Sequence, residues 1–378
     1  MMHGLSMPTG RRMPRSSGTR LWSTLNKTAT RNARRMQRAV NKNFTKPMTE
    51  AIVRNAVKQS AVVTAATQRA LTGVVSPVEA PESRGSGRWE EGAWGAGPLA
   101  PRRYRIFVPA GATASHRAPM LVLLHGCGQD AASFAAVTRA AAVARESGWV
   151  VLLPEQSSQA NAQRCWNWFR PSVQGAAEAG LLMGLIDNAC RRHPVAPDRI
   201  SVLGLSAGGA MALMLGLRYP ERFAAVGSHS GAVPWSAANA AQATRAMRGQ
   251  RGPDAQAMQA MRVGLAGRRP PPLLLLHGDA DGVVDFSNAT ATAAMWMHLQ
   301  PEGAHPLTGV PVRRIQRGMR RAVDVFDWTA SKWPYVRLVR IEGLGHAWSG
   351  GAGGHAFSDP AGPDGLKMAL RFFLAAGG

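Results

Sequence analysis

Ile200-Ser-Val-Leu-Gly-Leu-Ser-Ala-Gly-Gly209 is the stretch that decides how this chain is read. An apolar strand, Ile200–Leu203, runs into Gly204-Leu-Ser-Ala-Gly208, and a helix follows through Met211, Leu213, Met214 and Leu217 to Tyr219. The pentapeptide has the form G-x-S-x-G, a sharp strand-to-helix turn that lifts a serine hydroxyl above the end of a sheet. A serine hydroxyl is a weak nucleophile, so it must meet a base and an electrophile without steric screening. Gly204 and Gly208 remove the side chains that would crowd such a turn. The helix after Ser206 would aim its free N–H groups and positive dipole end at the reaction centre.

Outward from this stretch the pattern repeats. Tyr104–Val108 alternates like a strand, and Pro119–Leu124, Trp149–Leu153 and Pro272–Leu276 are continuous apolar runs, as strands covered on both faces require. Phe223–Val226 leads to a strand ending near His229, and Val336–Ile341 is one more. Helices are expected over Ala131–Ser147, Gly175–Arg192 and Asp364–Ala375. Alternating strands and helices predict an α/β fold with a mostly parallel central sheet and helices on both faces. Ligands of such sheets sit at the carboxyl ends of the strands. Residues 101–378 are read as this domain, with 235–268 as a helical insertion able to cover the site.

The remainder is different in kind. The chain has 378 residues, 45% of them hydrophobic, and a formal net charge of +23. More than half of that excess lies before residue 72, where basic residues from Arg11 to Arg69 face a single acid, Glu50. Residues 1–72 are read as a basic, partly helical arm broken at Pro47. Such an arm suits an acidic surface or a granule, and its bland alternative is a solvated tail. No nucleic-acid motif accompanies the charge, so no specific nucleic acid is expected. Residues 73–100, rich in Gly, Pro, Ser and Glu, are read as a flexible linker. No run of 18 apolar residues occurs, and the arginines of the N-terminus precede no apolar core of a secretory signal. A cytoplasmic, granule-associated location is expected, with an atypical export route left open.

Two further strand ends carry chemistry. After Leu276 comes His277-Gly-Asp-Ala-Asp281, and after Ile341 comes Glu342-Gly-Leu-Gly-His-Ala-Trp-Ser-Gly-Gly351. The order nucleophile, acid, histidine is that of α/β-hydrolases. His346 is the expected general base and Asp281 the acid that orients it, with Asp285 the runner-up and Asp279 expected to stay in its turn. His125, His229 and His277 also sit at strand ends and are read as structural. The oxyanion donors are expected to be the backbone N–H of Ala207 and, from the loop His125-Gly-Cys-Gly-Gln-Asp130, that of Cys127. Arg164-Cys-Trp-Asn-Trp-Phe-Arg170 falls in a loop after the strand ending at Leu153. Trp166 and Trp168, with Trp348, are expected to line the acyl or alcohol pocket, while Phe169 is core. Three cysteines are too few for a disulfide framework and lack metal spacing. Cys165 is placed to bridge to Cys127, against the alternative of free thiols, and Cys190 reads as a small buried residue. No P-loop, dinucleotide fingerprint or metalloprotease helix is present, and no metal or cofactor is expected.

With those residues in view, the chain resembles the poly(3-hydroxybutyrate) depolymerase family of esterases, within the α/β-hydrolase superfamily. The resemblance is carried by Leu124-His-Gly-Cys-Gly-Gln129, Cys165-Trp-Asn-Trp-Phe169, Gly204-Leu-Ser-Ala-Gly-Gly209, His277-Gly-Asp-Ala-Asp281, Gly343-Leu-Gly-His-Ala-Trp-Ser-Gly-Gly351 and Asp359-Pro-Ala-Gly-Pro-Asp364. It implies Ser206, Asp281 and His346 as a triad and a serine-esterase mechanism. It also implies polyester or short hydroxyacyl ester substrates, with feruloyl and acetyl-xylan esterases as relatives. Secreted polymer-degrading members carry a signal peptide and a polymer-binding domain, for which no counterpart is read here. A non-catalytic basic surface-binding protein on an old hydrolase scaffold is the rival of another class.

Overall fold

In a computed structural model, residues 87–95, 101–169, 173–329 and 332–376 are described. The basic arm, residues 1–72, lies outside the described residues. The apolar runs become the core strands. These are β3 (Ala118–Leu124), β4 (Val150–Pro154), β5 (Val195–Leu205), β6 (Ala225–His229), β7 (Leu273–Gly278) and β11 (Pro334–Ile341). They lie side by side in the order β4-β3-β5-β6-β7-β11, every pair parallel. Both sheet edges are antiparallel: β1 (Arg88–Trp94) and β2 (Arg102–Val108) beyond β4, and β10 (Val323–Thr329), β8 (Thr308–Gly309) and β9 (Arg313–Ile315) beyond β11.

Why β3, β4 and the Leu273–Leu276 run of β7 lack polar residues is visible in the pleat, which sends successive side chains to opposite faces. Met120, Val122 and Leu124 join one buried cluster, whereas Leu121 and Leu123 join the other; Leu273 and Leu275 divide from Leu274 and Leu276 in the same way. Helices α3 (Val173–Arg192), α4 (Ala207–Arg218) and α7 (Ser287–His298) contribute to the first cluster. Helices α1 (Ala131–Thr138), α2 (Ala140–Ser147) and α8 (Gly365–Ala376) contribute to the second. The insertion supplies α5 (Ala240–Met247) and α6 (Ala255–Leu265), and the end of α5 is tied to the start of α7 by bonds from Asp285 N and Asn288 Nδ2 to Met247 O.

Two expectations are corrected, and one strand is added to them. Arg88–Trp94, placed in the linker, is a full edge strand, paired along its whole length with β2, and Trp89 packs edge-on against Phe107 at 5.2 Å. The single helix expected over 131–147 is two, because Arg139 adopts φ 55° and reaches away to Gly350 O (2.6 Å) and Asp364 Oδ2 (2.9 Å). The strand β10, unforeseen, alternates Val323 and Val325 inward with Asp324 and Phe326 partly outward, the signature of a strand with one face on the core.

Candidate active site

Ser206 sits between β5 and α4 at φ 56°, ψ −119°, a conformation that costs a non-glycine residue on the order of 1–3 kcal/mol. The surroundings hold it there. Its N–H donates to His229 O (2.8 Å), its C=O accepts from Ala210 N (3.0 Å), and α4 behind it is wholly buried through Leu217. The flanking glycines are demanded by close approach: a β-carbon at Gly204 would lie 2.2 Å from Gly208 C, and one at Gly208 would lie 2.2 Å from Leu124 O.

The loops after β7 and β11 are sewn together by backbone. Asp279 N donates to Ile341 O (3.1 Å) and Ala280 N to Leu344 O (3.2 Å). That seam brings Asp281 Oδ2 within 2.8 Å of His346 Nδ1, and His346 Nε2 within 3.0 Å of Ser206 Oγ. A carboxylate only accepts, so Nδ1 carries the ring proton and the Nε2 lone pair faces the hydroxyl. Asp281 Oδ1 accepts the amides of Val283 and Val284, both at 2.9 Å. Burial pushes this carboxyl up, but the neighbouring His346 and His277 and the Val284 amide outweigh it, and its pKa lies well below the usual carboxylate range. The competing acids are elsewhere: Asp279 accepts from Gly343 N (2.7 Å) and Asp285 from Ser287 N (2.9 Å), neither on His346.

The three other strand-end histidines are buried and bonded. His229 Nε2 accepts Ser349 N (3.1 Å), and its ring stacks on Trp348 at 5.2 Å. Burial, with His277 and His346 nearby, lowers its pKa to about 3. His277 Nε2 donates to Val284 O (2.8 Å), 3.6 Å from Asp281 Oδ2. His125 is lowered to about 4, chiefly by burial.

Opposite the base, a β-carbon at Gly126 would lie 3.6 Å from Ser206 Cβ, so the loop after β3 borders the nucleophile. Within that loop Gly126 N donates to Gln129 Oε1, Gly128 N to Gln163 O and Gln129 N to Gly126 O. Cys127 N has no protein acceptor among the described residues, nor has Ala207 N at the first position of α4. Ala207 N thus stands unengaged directly after the serine, and Cys127 N unengaged in the loop that borders it. Cys127 and Cys165 form a disulfide, Cα–Cα 4.3 Å, while Cys190 is free and half-buried. Among the described residues no cluster of His, Cys, Asp and Glu is placed to hold a metal ion, and no helix is long and apolar enough to cross a membrane.

The tryptophans are a correction. Trp166 is 0% exposed and Trp348 1%, and Trp168, at 5%, packs edge-on against Phe169. Trp166 Nε1 donates to His125 O (3.0 Å), and Trp348 meets Phe134 at 5.4 Å edge to face. The Trp166 ring fills the core beneath the loops, because an indole whose area and N–H are both satisfied inside gains nothing from water.

A buried ion pair escapes sequence reasoning. Arg102 on β2 and Glu178 on α3 meet at 2.9 Å, 1% and 2% exposed. Glu178 also accepts from Gln156 Nε2 and from Asn167 N (2.7 Å), so it anchors the segment that carries Cys165 and Trp166. The available signal is one acid inside the apolar run Ala176–Ile186.

A family model described as Esterase PHB depolymerase matches residues 102–314, a stretch that holds Cys127, Ser206 and Asp281 and ends before His346. Poly(3-hydroxyalkanoate) depolymerase C of Paucimonas lemoignei is 28% identical over 250 residues, 63% of this chain and 56% of that protein. This chain therefore spans little more than half the length of that relative. Feruloyl esterase B of Neurospora crassa is 29% identical over 233 residues, 58% of this chain and 77% of that one. An acetyl xylan esterase from Aspergillus awamori matches in structure with a TM-score of 0.57 at 16% identity, covering 76% of this chain and 99% of that one, a likeness of fold alone. With an α/β-hydrolase sheet, a serine turn at the end of its β5, and a family match over more than half of its residues, the chain belongs to the esterase PHB depolymerase family.

Proposed function

We propose that the protein is a serine esterase that hydrolyses carboxylic esters through an acyl-enzyme. The observation that carries this reading is the unbroken hydrogen-bond chain from Asp281 through His346 to Ser206. Ser206 Oγ adds to the ester carbonyl carbon as its proton passes to His346 Nε2. The carbonyl electron pair moves to oxygen, which the N–H groups of Ala207 and Cys127 receive. The C–O bond to the alcohol then breaks, and His346 returns the proton to the departing alkoxy oxygen. Water repeats the sequence on the acyl-enzyme, releasing the acid and restoring Ser206. Asp281 holds Nδ1–H throughout and favours the imidazolium that forms. The first test is Ser206→Ala: folding unchanged, and hydrolysis of p-nitrophenyl butyrate down by several orders of magnitude. Hydrolysis at the wild-type rate rejects the assignment.

For the substrate, the family and the named depolymerase relatives favour a polyhydroxyalkanoate-type polyester or its short hydroxyacyl oligomers. The feruloyl and acetylxylan esterase relatives favour a carbohydrate ester as the second reading. A panel of polyhydroxybutyrate, its dimers and trimers, feruloyl esters and acetylated xylan separates the two. Residues 1–72 supply the cationic patch that would hold the enzyme on an acidic or polymer surface. The Cys127–Cys165 bridge favours an oxidising compartment over a reducing cytosol. Fluorescent fusions with and without residues 1–72 test the arm, and identical distributions reject it.

A further inference from the structure

We propose that His125 is a positioning residue whose Nδ1–H clamps the Gly126 carbonyl and so sets the direction in which the Cys127 N–H points. The inference rests on the serine-esterase reading above, in which Cys127 N is an oxyanion donor. Gly126 C=O and Cys127 N–H are two ends of one peptide unit. That unit is planar and trans, so its carbonyl and its amide hydrogen point in opposite directions. Whatever fixes one end fixes the other.

His125 Nδ1 lies 2.8 Å from Gly126 O. Gln156 N lies 3.0 Å from the other ring nitrogen, Nε2. A backbone amide can only donate and a carbonyl can only accept, so both contacts demand the same tautomer: proton on Nδ1, lone pair on Nε2. The ring is fully enclosed, and burial keeps it neutral through the working range of pH, lowering it to about 4. Trp166 Nε1 holds the carbonyl of His125 itself at 3.0 Å. Gln129 N adds a second, longer bond to Gly126 O at 3.3 Å. The Cys127 side chain is tied down separately by its bridge to Cys165. The one group of this peptide with no protein partner is the Cys127 N–H, the end that faces away from the clamp.

Two substitutions separate the two ring nitrogens. In His125→Asn the side-chain Nδ2 replaces the Nδ1 donor, and the acceptor for Gln156 N is lost. In His125→Gln the amide oxygen replaces the Nε2 acceptor, and the donor to Gly126 O is lost. Rates of p-nitrophenyl butyrate hydrolysis are normalised to active sites counted by burst titration, so a partly folded preparation does not distort them. For His125→Gln the expected kcat loss is about 10- to 100-fold, part of what losing a whole oxyanion donor costs, with KM within about threefold. His125→Asn is expected to keep kcat within about threefold despite lower stability. The carbonyl stretch of the acyl-enzyme should move to higher wavenumber in His125→Gln and stay in place in His125→Asn. Equal kcat losses in both, or a wild-type kcat in His125→Gln, overturns the proposal. A third measurement needs no variant: ¹⁵N spectra of histidine-labelled wild-type protein should show Nδ1–H at His125, and an Nε2–H tautomer rejects the clamp. Failure of these tests with Ser206→Ala still inactive condemns only the clamp, whereas an active Ser206→Ala condemns the esterase reading itself.

Discussion

The two sides of Ser206 are built by different means. On one side Asp281 and His346 reach the serine from loops after β7 and β11, joined by backbone bonds and by two side-chain contacts of 2.8 and 3.0 Å. On the other side the Cys127 loop is held by a disulfide to a segment that a buried ion pair anchors, and by the contact of His125 Nδ1 with Gly126 O. The difference follows from the work each side would do. A proton shuttle must change charge in every cycle and needs adjustable partners. A donor pair for a transient oxyanion is useful only if it is already aimed, so rigidity is what it needs.

This contrast is open to attack, beginning where the effect is greatest. Asp281→Asn should lower kcat by about 10⁴-fold with little loss of stability, because the amide favours the wrong imidazole tautomer; a loss under tenfold in steady-state assays would dissolve the acid–base side. Glu178→Ala should cost about 3–5 kcal/mol in urea denaturation, since it takes the buried carboxylate away from Arg102. Its effect on kcat, per folded site, should resemble that of His125→Gln rather than that of Asp281→Asn. Cys165→Ser opens a bridge between residues 38 apart and should cost about 2–4 kcal/mol by the same measurement. Dithiothreitol should then slow the wild type and leave the variant unmoved.

Acid should act on both sides alike. His125 and His229 are neutral in the fold and take up protons when unfolded, so the unfolded chain binds more protons as pH drops. Stability is therefore full above about 6.5 and falls below it, down to about 4 for His125 and about 3 for His229. The slope is about 1.4 kcal/mol per pH unit for each ring, read by denaturation at pH 7, 6 and 5. A flat profile over that range would mean that both rings are charged inside the fold. The smallest effect belongs to Asp285→Asn, which should leave kcat within about twofold, because that carboxylate caps Ser287 N and touches neither His346 nor Ser206.

The meeting of Ser206, Asp281 and His346 was legible because each follows an apolar run by a few residues, and parallel strands deliver such residues to one edge. The buried histidines were legible for the same reason. The tryptophans were not: a loop indole has the same letter whether its ring turns to solvent or to the core, and only the Nε1 bond to His125 O decides for Trp166. Glu178 was hidden because its partners lie on β2 and in two distant loops. The break at Arg139 was hidden because Ala131–Ser147 contains neither Gly nor Pro, and what bends it is a long-range bond to Gly350 and Asp364. The outer strands β1 and β10 are hard to read because nearly half of their residues are charged or polar, which weakens the apolar signal.

Strands β3, β5, β7 and β11 are neighbours or near neighbours in space, but the ribosome makes them in that order. Cys127, Ser206 and Asp281 thus emerge while His346 has yet to be translated. A growing polypeptide displays the hydroxyl with nothing to draw its proton. β11 lies between β7 and β10, and the loop after it brings the imidazole of His346 to within 3.0 Å of that hydroxyl.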